Sequence, residues 1–204
     1  MLLAFDTATP QVSVALHDGT SVVAEEASDR AMKHGEQLAP LISAVLAAAG
    51  VTPAELARVG VGVGPGPFTG LRVGLVTART LGFALDIPVD GVCSLDVLAL
   101  EAVSTGAVNG PFQVATDARR KEVYFATYGP SADRFTGPVV DHPATLHSHV
   151  VTVGEGAALY PEAFPEAVGP QRPSAGWLAR GLVEGRFEVA PPEPLYLRRP
   201  DAEK

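Results

Sequence analysis

Apolar positions along the chain fall first into short alternating runs and then into longer helical ones. Leu2 to Phe5 is a brief apolar run that ends in the polar turn Asp6-Thr7-Ala8-Thr9-Pro10. Val12, Val14 and Leu16 alternate with Gln11, Ser13 and Ala15, and Asp18-Gly19 is a hairpin signal before a third run, Ser21 to Ala27. These runs predict an antiparallel meander. From about His34 the period changes: Leu38, Leu41, Ile42, Val45, Leu46 and Ala49 recur at helical spacing, and Gly50 is a natural stop. Pro40 is expected in the first turn of that helix or at a kink.

Residues 58–85, RVGVGVGPGPFTGLRVGLVTARTLGFAL, predict a strand, a glycine/proline loop and a long helix in one unit. Val and Gly alternate from Val59 to Val63, a pattern for a strand on which another backbone or helix lies close. Pro65 and Pro67 end the strand, and Thr69 is placed to cap the helix. Within that helix Gly70, Gly74, Ala78 and Gly82 recur every four residues and make a ridge with almost no side chains. Glycine inside a helix costs roughly 1 kcal/mol relative to alanine, so the ridge implies a compensating close contact. A strand around Pro88 to Val92 and a helix from Ser94 into Ala102 follow.

Ser104 to Pro111, STGAVNGP, reads as a linker, and beyond it the chain starts again. Phe112 to Thr116 ends at Asp117 as Leu2 to Phe5 ends at Asp6. Val123 and Ala126 follow Asp117 at the offsets at which Val12 and Ala15 follow Asp6. A duplicated lobe has that form. A strand at Val150 to Val153, a short helix at Ala175 to Leu182 and a proline-bounded tail whose last residues fray complete the expectation. The expected lobes are 1–104 and 105–204.

Composition narrows the function classes. A hydrophobic content of 47% over 204 residues supports a buried core. With 15 basic against 23 acidic residues the net charge is −8, which argues against a protein whose main task is gripping a phosphate backbone. Cys93 is the single cysteine, so no disulfide or cysteine metal cluster forms within the chain. No basic region precedes Leu2 to Phe5, and apolar runs are broken by Pro40, the glycine loop or Arg72 well short of about 20 residues. A cytoplasmic protein is expected, with no signal peptide and no membrane contact.

The glycine loop fails both standard phosphate patterns. Gly70 is followed by Leu71-Arg72 instead of Lys and Ser/Thr, and the sixth position counted from Gly60, Gly62 or Gly64 is Pro65, Pro67 or Thr69. Asp6, Thr7 and Thr9 support two readings side by side, a turn that holds phosphate or a metal-bound water and a turn that satisfies its own amides. Thr69 and Gly70, at the start of the long helix, add an anion contact to the first reading. No two of the five histidines stand four apart, so no helical metal pair exists, although His147 and His149 could share a strand face. No nucleophile–base pair is supported, and Arg119-Arg120-Lys121 is a local basic turn, read as solvated, with contact to RNA or an acidic partner as the alternative and a stand-alone RNA-binding module disfavoured by the net charge. Both central helices are apolar all round and call for cover on more than one side. The expected partner face comprises Leu38, Leu41, Ile42 and Val45 of the first helix with Gly70, Leu71, Gly74, Leu75, Ala78 and Gly82 of the second.

DTATPQVSVAL, HGEQLAPLI, GVGPGPFTGLRVGLVTARTLGFAL, SLDVLA, DARRKEVYFA and PLYLR together resemble the bacterial TsaB (YeaZ) family along the whole chain. The resemblance implies an α/β chain with the two-lobed actin/Hsp70-like ATPase fold (RNase H-like, ASKHA), a mixed sheet flanked by helices in each lobe and a reduced second lobe. It implies an accessory, non-catalytic subunit that pairs with TsaD and works with TsaE to place a threonylcarbamoyl group on the adenosine beside the tRNA anticodon. It further implies helices that build a homodimer or the TsaD heterodimer, tRNA contact only through the complex, no cofactor of its own, and ATP or ADP binding that is weak or interface-dependent. The related TsaD family carries a metal-binding His-x-x-x-His at the positions of Ser94 and Leu98, neither of which can replace imidazole. The rival expectation is an enzyme acting alone, an actin-like nucleotide hydrolase or kinase or a metallopeptidase, centred on Asp6, Thr7, Thr9 and the glycine loop.

Overall fold

A computed structural model describes residues 1–28, 33–146 and 149–197. His147 and the terminal residues expected to fray, from Arg198 on, lie outside them. Two compact units emerge, Met1–Ser94 with Pro173–Leu195, and Leu95–Arg172 with Tyr196 and Leu197.

In the first unit β1 (Leu2–Asp6), β2 (Ser13–His17), β3 (Val22–Ala27), β4 (Arg58–Gly64) and β5 (Val89–Cys93) form one sheet in the order β3-β2-β1-β4-β5. β1, β2 and β3 pair antiparallel, as the hairpin signal predicts, while β4 and β5 join β1 in parallel. Parallel neighbours require crossovers. These are α1 (His34–Ala49), between β3 and β4, and α2 (Phe68–Leu85), between β4 and β5. Both pack on one face of the sheet, where Leu3, Phe5, Val14, Val59 and Val61 meet Leu38, Ile42, Val45, Leu71 and Leu75. Pro40 lies in the second turn of α1 with its ring exposed, so the first helical turn is free of it. α2 begins at Phe68 behind an extended Pro67 that makes no side-chain cap; Thr69 is inside the helix, contrary to the expected capping role.

Successive strand residues face opposite ways, and the other face of this sheet has a row of small residues, Ala15, Ala4 and Gly60, in register across β2, β1 and β4. α5 (Ala175–Val183) lies on that row. A Cβ on Gly60 would come within 2.9 Å of Leu178 and overlap Leu182, so the alternating Val/Gly strand has the close helix its pattern calls for. The N-terminus of α5 is held by Ser13, whose Oγ accepts from the Ala175 amide at 2.8 Å, and by the Glu25 carboxylate, which accepts from Ser174 Oγ and the Gly176 amide. The division therefore differs from the expected boundary at 104: residues 173–195 return to the first unit because these groups wait for them there. The tail continues along the edge of β5, where Gly91 and Ala190 exchange backbone hydrogen bonds and the Leu195 amide donates to Val63.

The second unit repeats the strand order with β6 (Phe112–Asp117), β7 (Val123–Tyr128), β8 (Arg134–Asp141), β9 (Thr152–Val153) and β10 (Ala167–Val168), arranged β10-β9-β6-β7-β8. β6, β7 and β8 are antiparallel, and β9 and β10 parallel to β6, so each strand has a counterpart in the first sheet. Among the described residues the crossovers are reduced to a 3-10 turn (Pro143–Thr145) and α4 (Glu155–Leu159). Gly154 and Gly156 let α4 lie against Ala115, and Phe125 stacks on Phe164. From Leu95 on, α3 (Ser94–Ser104) also belongs here: its Asp96 accepts from the Tyr128 hydroxyl at 2.7 Å and pairs with Arg134. His149 lies in a bend instead of a strand. The fold class is the implied one, a mixed α/β sheet with flanking helices in the ribonuclease H-like strand order, which actin/Hsp70-like proteins use twice.

Candidate functional site

The turn after β1 is built into the interior. Asp6, Thr7, Ala8 and Thr9 are all buried, and their polar atoms find partners within the first unit. Asp6 Oδ1 accepts from the Ala8 amide at 2.7 Å and Oδ2 from the Ser94 hydroxyl at 2.5 Å. Thr7 Oγ1 donates to the Gly70 carbonyl at 2.8 Å, and His34 Nε2 lies 2.7 Å from the Thr9 carbonyl. The glycines close the turn from outside. A Cβ on Gly66 would stand 2.8 Å from Ala8 Cα, one on Gly70 would strike the Thr7 carbonyl, and one on Gly74 the Thr7 hydroxyl. Gly82 performs the same service against Val89. The small-residue ridge of α2 thus packs on the turn and sheet of its own unit. Asp6, Thr7, Thr9 and Gly70 come together in a closed arrangement that satisfies its own groups, while Thr69 is exposed.

Burial pushes the Asp6 carboxyl above its ordinary value of 3.8, while the Ser94 hydroxyl, the Ala8 amide and the charge of His34 pull it down less strongly. A carboxyl raised in this way binds its proton more tightly folded than unfolded. Ionised Asp6 therefore costs stability above its folded pKa, and that cost disappears as the pH falls through the folded value toward 3.8. Asparagine keeps an acceptor for Ala8 and meets Ser94 with its amide. Asp6→Asn is expected to raise the thermal midpoint at neutral pH, with a gain that shrinks steadily in scans toward pH 4. A lowered midpoint at neutral pH would show that the carboxylate charge is needed there.

The second candidate is the outward face of α1 and α2. The structure buries most of the expected partner face: Leu38, Ile42, Val45, Gly70, Leu71, Gly74, Leu75, Ala78 and Gly82 all belong to the interior of the first unit, and Leu41 is half-buried. Periodicity locates a stripe that buries itself, and here the burying surface is the sheet. What faces outward on α1 is Gly35, Glu36, Ala39, Pro40, Ser43, Ala44, Ala47 and Ala48. On α2 it is Phe68, Arg72, Val76, Arg79, Thr80 and Phe83, with Val76 62% and Phe83 92% exposed. The Arg72 guanidinium lies 3.7 Å over the Phe68 ring. α1 and α2 contact each other, so these residues lie on adjacent helices, and most of them are apolar. Phe68 and Phe83 escaped the sequence reading although, with Arg72 and Val76, they recur at spacings of four, four and seven, which was the available signal.

No helix is long and apolar enough to cross a membrane among the described residues. The family model "TsaD: tRNA N6-adenosine threonylcarbamoyltransferase" matches residues 14–169. An uncharacterised protein of Mycobacterium tuberculosis is 45% identical, with 98% of this chain and 93% of that protein aligned. The tRNA threonylcarbamoyladenosine biosynthesis protein TsaB of Escherichia coli is 33% identical over 81% of this chain and 76% of its own length. Among solved structures, YeaZ from Pseudomonas aeruginosa superposes with a TM-score of 0.78 at 28% identity, over 96% of this chain and 99% of that one. On the length of these matches and the repeated strand order, the chain belongs to the TsaB (YeaZ) family, whose members serve threonylcarbamoyladenosine formation in tRNA.

Proposed function

We propose that this chain is the accessory, dimerising subunit of a tRNA threonylcarbamoyltransferase assembly, pairing with TsaD through the outward face of α1 and α2 and working with TsaE. The observation that carries the reading is that face itself. Alanines, Val76 and a 92% exposed Phe83 line two adjacent helices, and a partner covering roughly 800 Å² would take them out of water. In the absence of TsaD the same face serves a homodimer. The turn at Asp6 supports a structural role for its residues, so catalysis is assigned to the partner and tRNA meets this chain within the complex. Any ATP or ADP contact at the Asp6 turn and the start of α2 depends on the assembled interface.

Reconstitution tests this directly. With TsaD, TsaE, ATP, the carbamoyl donor and unmodified tRNA, modified adenosine is expected to accumulate only when this chain is added. Equal rates with and without it would remove the assignment. Calorimetry of the isolated chain with ATP and magnesium addresses the enzyme reading, which requires tight binding and turnover abolished by Asp6→Ala.

A further inference from the structure

The second unit has an open cleft of about 730 Å³, within the size range of small-molecule sites. None of its lining residues belongs to the Asp6 turn or to the outward face of α1 and α2. Lys121 and His142 bring cationic and donor groups, Leu159, Tyr160 and Pro161 bring an apolar and aromatic wall, and Glu162 brings a carboxylate. Leu159 is 56% exposed, which leaves the wall accessible.

Lys121 reaches this cleft from an unusual piece of backbone. The turn joining β6 to β7 places Arg119, Arg120 and Lys121 in succession at φ of 61°, 55° and 61°, a left-handed conformation that glycine adopts freely and side-chain-bearing residues do not. The strain is held in place on several sides. Asp117 Oδ1 accepts from the Arg119 amide at 2.8 Å, the Ala118 and Glu122 amides close the turn onto Glu122 and Arg119 carbonyls, and His142 Nδ1 lies 3.2 Å from the Lys121 carbonyl. Backbone strain maintained with basic side chains, where glycine would relieve it, marks a place where those side chains have work to do.

We propose that this cleft binds one nucleotide, with its phosphate at Lys121, its base against Tyr160, and a base amino group or ribose hydroxyl donating to Glu162. Each part follows from side-chain chemistry. An ammonium recognises phosphate as a point charge. An aromatic ring beside apolar neighbours offers a stacking platform that accepts any base. A carboxylate would repel a bare anion but accepts from an exocyclic amine or a hydroxyl, which selects a nucleotide over inorganic phosphate. The same chemistry is offered by a free nucleotide and by an unstacked residue of single-stranded RNA.

The test uses the full chain. Binding of a fluorescently labelled RNA hairpin with a single-stranded loop is measured by anisotropy, with AMP and inorganic phosphate as competitors, for the wild type, Lys121→Gly and Tyr160→Leu. Both variants are expected to weaken RNA binding about ten-fold or more, and Lys121→Gly to lower the salt dependence by about one counterion. Glycine relieves the left-handed strain, so Lys121→Gly is also expected to raise the thermal midpoint, which separates lost binding from lost folding. Displacement of RNA by AMP assigns the cleft to nucleotides from either source, and displacement by RNA alone assigns it to RNA. Unchanged RNA and AMP affinity in both variants would overturn the proposal. The reconstitution described above is a separate readout, so failure of the cleft and failure of the assembly are distinguishable.

Discussion

Phe83→Glu is expected to leave the chain's thermal midpoint where it is and to abolish its co-purification with TsaD. The first half follows from exposure: a ring 92% accessible has almost no packing in the free chain to lose, and surface substitutions of this kind typically change stability by under about 0.5 kcal/mol. The second follows from what assembly would ask of it. A phenylalanine at the centre of an apolar interface is worth about 2–4 kcal/mol by truncation, roughly 30- to 1000-fold in affinity, and a buried carboxylate adds its own desolvation. The control is Leu75→Glu, one of the residues periodicity first suggests for the interface. Leu75 is 3% exposed in the sheet-facing core, so that change is expected to unfold the unit rather than to weaken binding selectively. Undiminished assembly by a folded Phe83→Glu chain would move the interface off this face.

The contrast between Phe83 and Leu75 also shows where the sequence is legible. Alternation and the Asp18-Gly19 turn locate β1, β2 and β3, and the 3.6 period locates α1 and α2, because each element must bury a stripe. The period cannot say what buries that stripe. The sequence reading assigns Leu71, Leu75 and the glycine ridge to a partner face, but the leucines pack on the sheet and Thr7 and Val89 lie against the ridge, so the stripe is buried within its own unit. β8 was illegible for another reason. As an edge strand with Gly137-Pro138 inside it, it is exposed along most of its length and carries no apolar alternation. The repeat was readable at its turning points: Asp117 accepts from the Arg119 amide as Asp6 does from the Ala8 amide. The allegiance of α5 was not. It depends on Glu25 and Ser13, 151 and 162 residues before the amides they accept from, and on the gap left by Gly60.

The largest effect on folding is expected from one methyl group. Gly66→Ala places a Cβ 2.8 Å from Ala8 Cα and 2.9 Å from its carbonyl carbon, with the carbonyl oxygen closer still. These are backbone atoms of a turn whose neighbours Asp6, Thr7 and Thr9 are tied to Ser94, Gly70 and His34, so no rotamer change can make room. Either the turn leaves its partners or α2 leaves the sheet, and the cost is expected to exceed about 3 kcal/mol, enough to lose most folded protein at 37 °C. Gly35→Ala is the same chemical change in the first turn of α1, where nothing lies within 4 Å, and there helix propensity should win, stabilising by roughly 0.5–1 kcal/mol. Chemical denaturation of both variants checks the pair. A phosphate cradle would need open space beside Ala8, and an alanine tolerated at Gly66 would be evidence for that space. The structure has the two backbones in contact there, so the glycine of this loop serves the closure of the Asp6 turn.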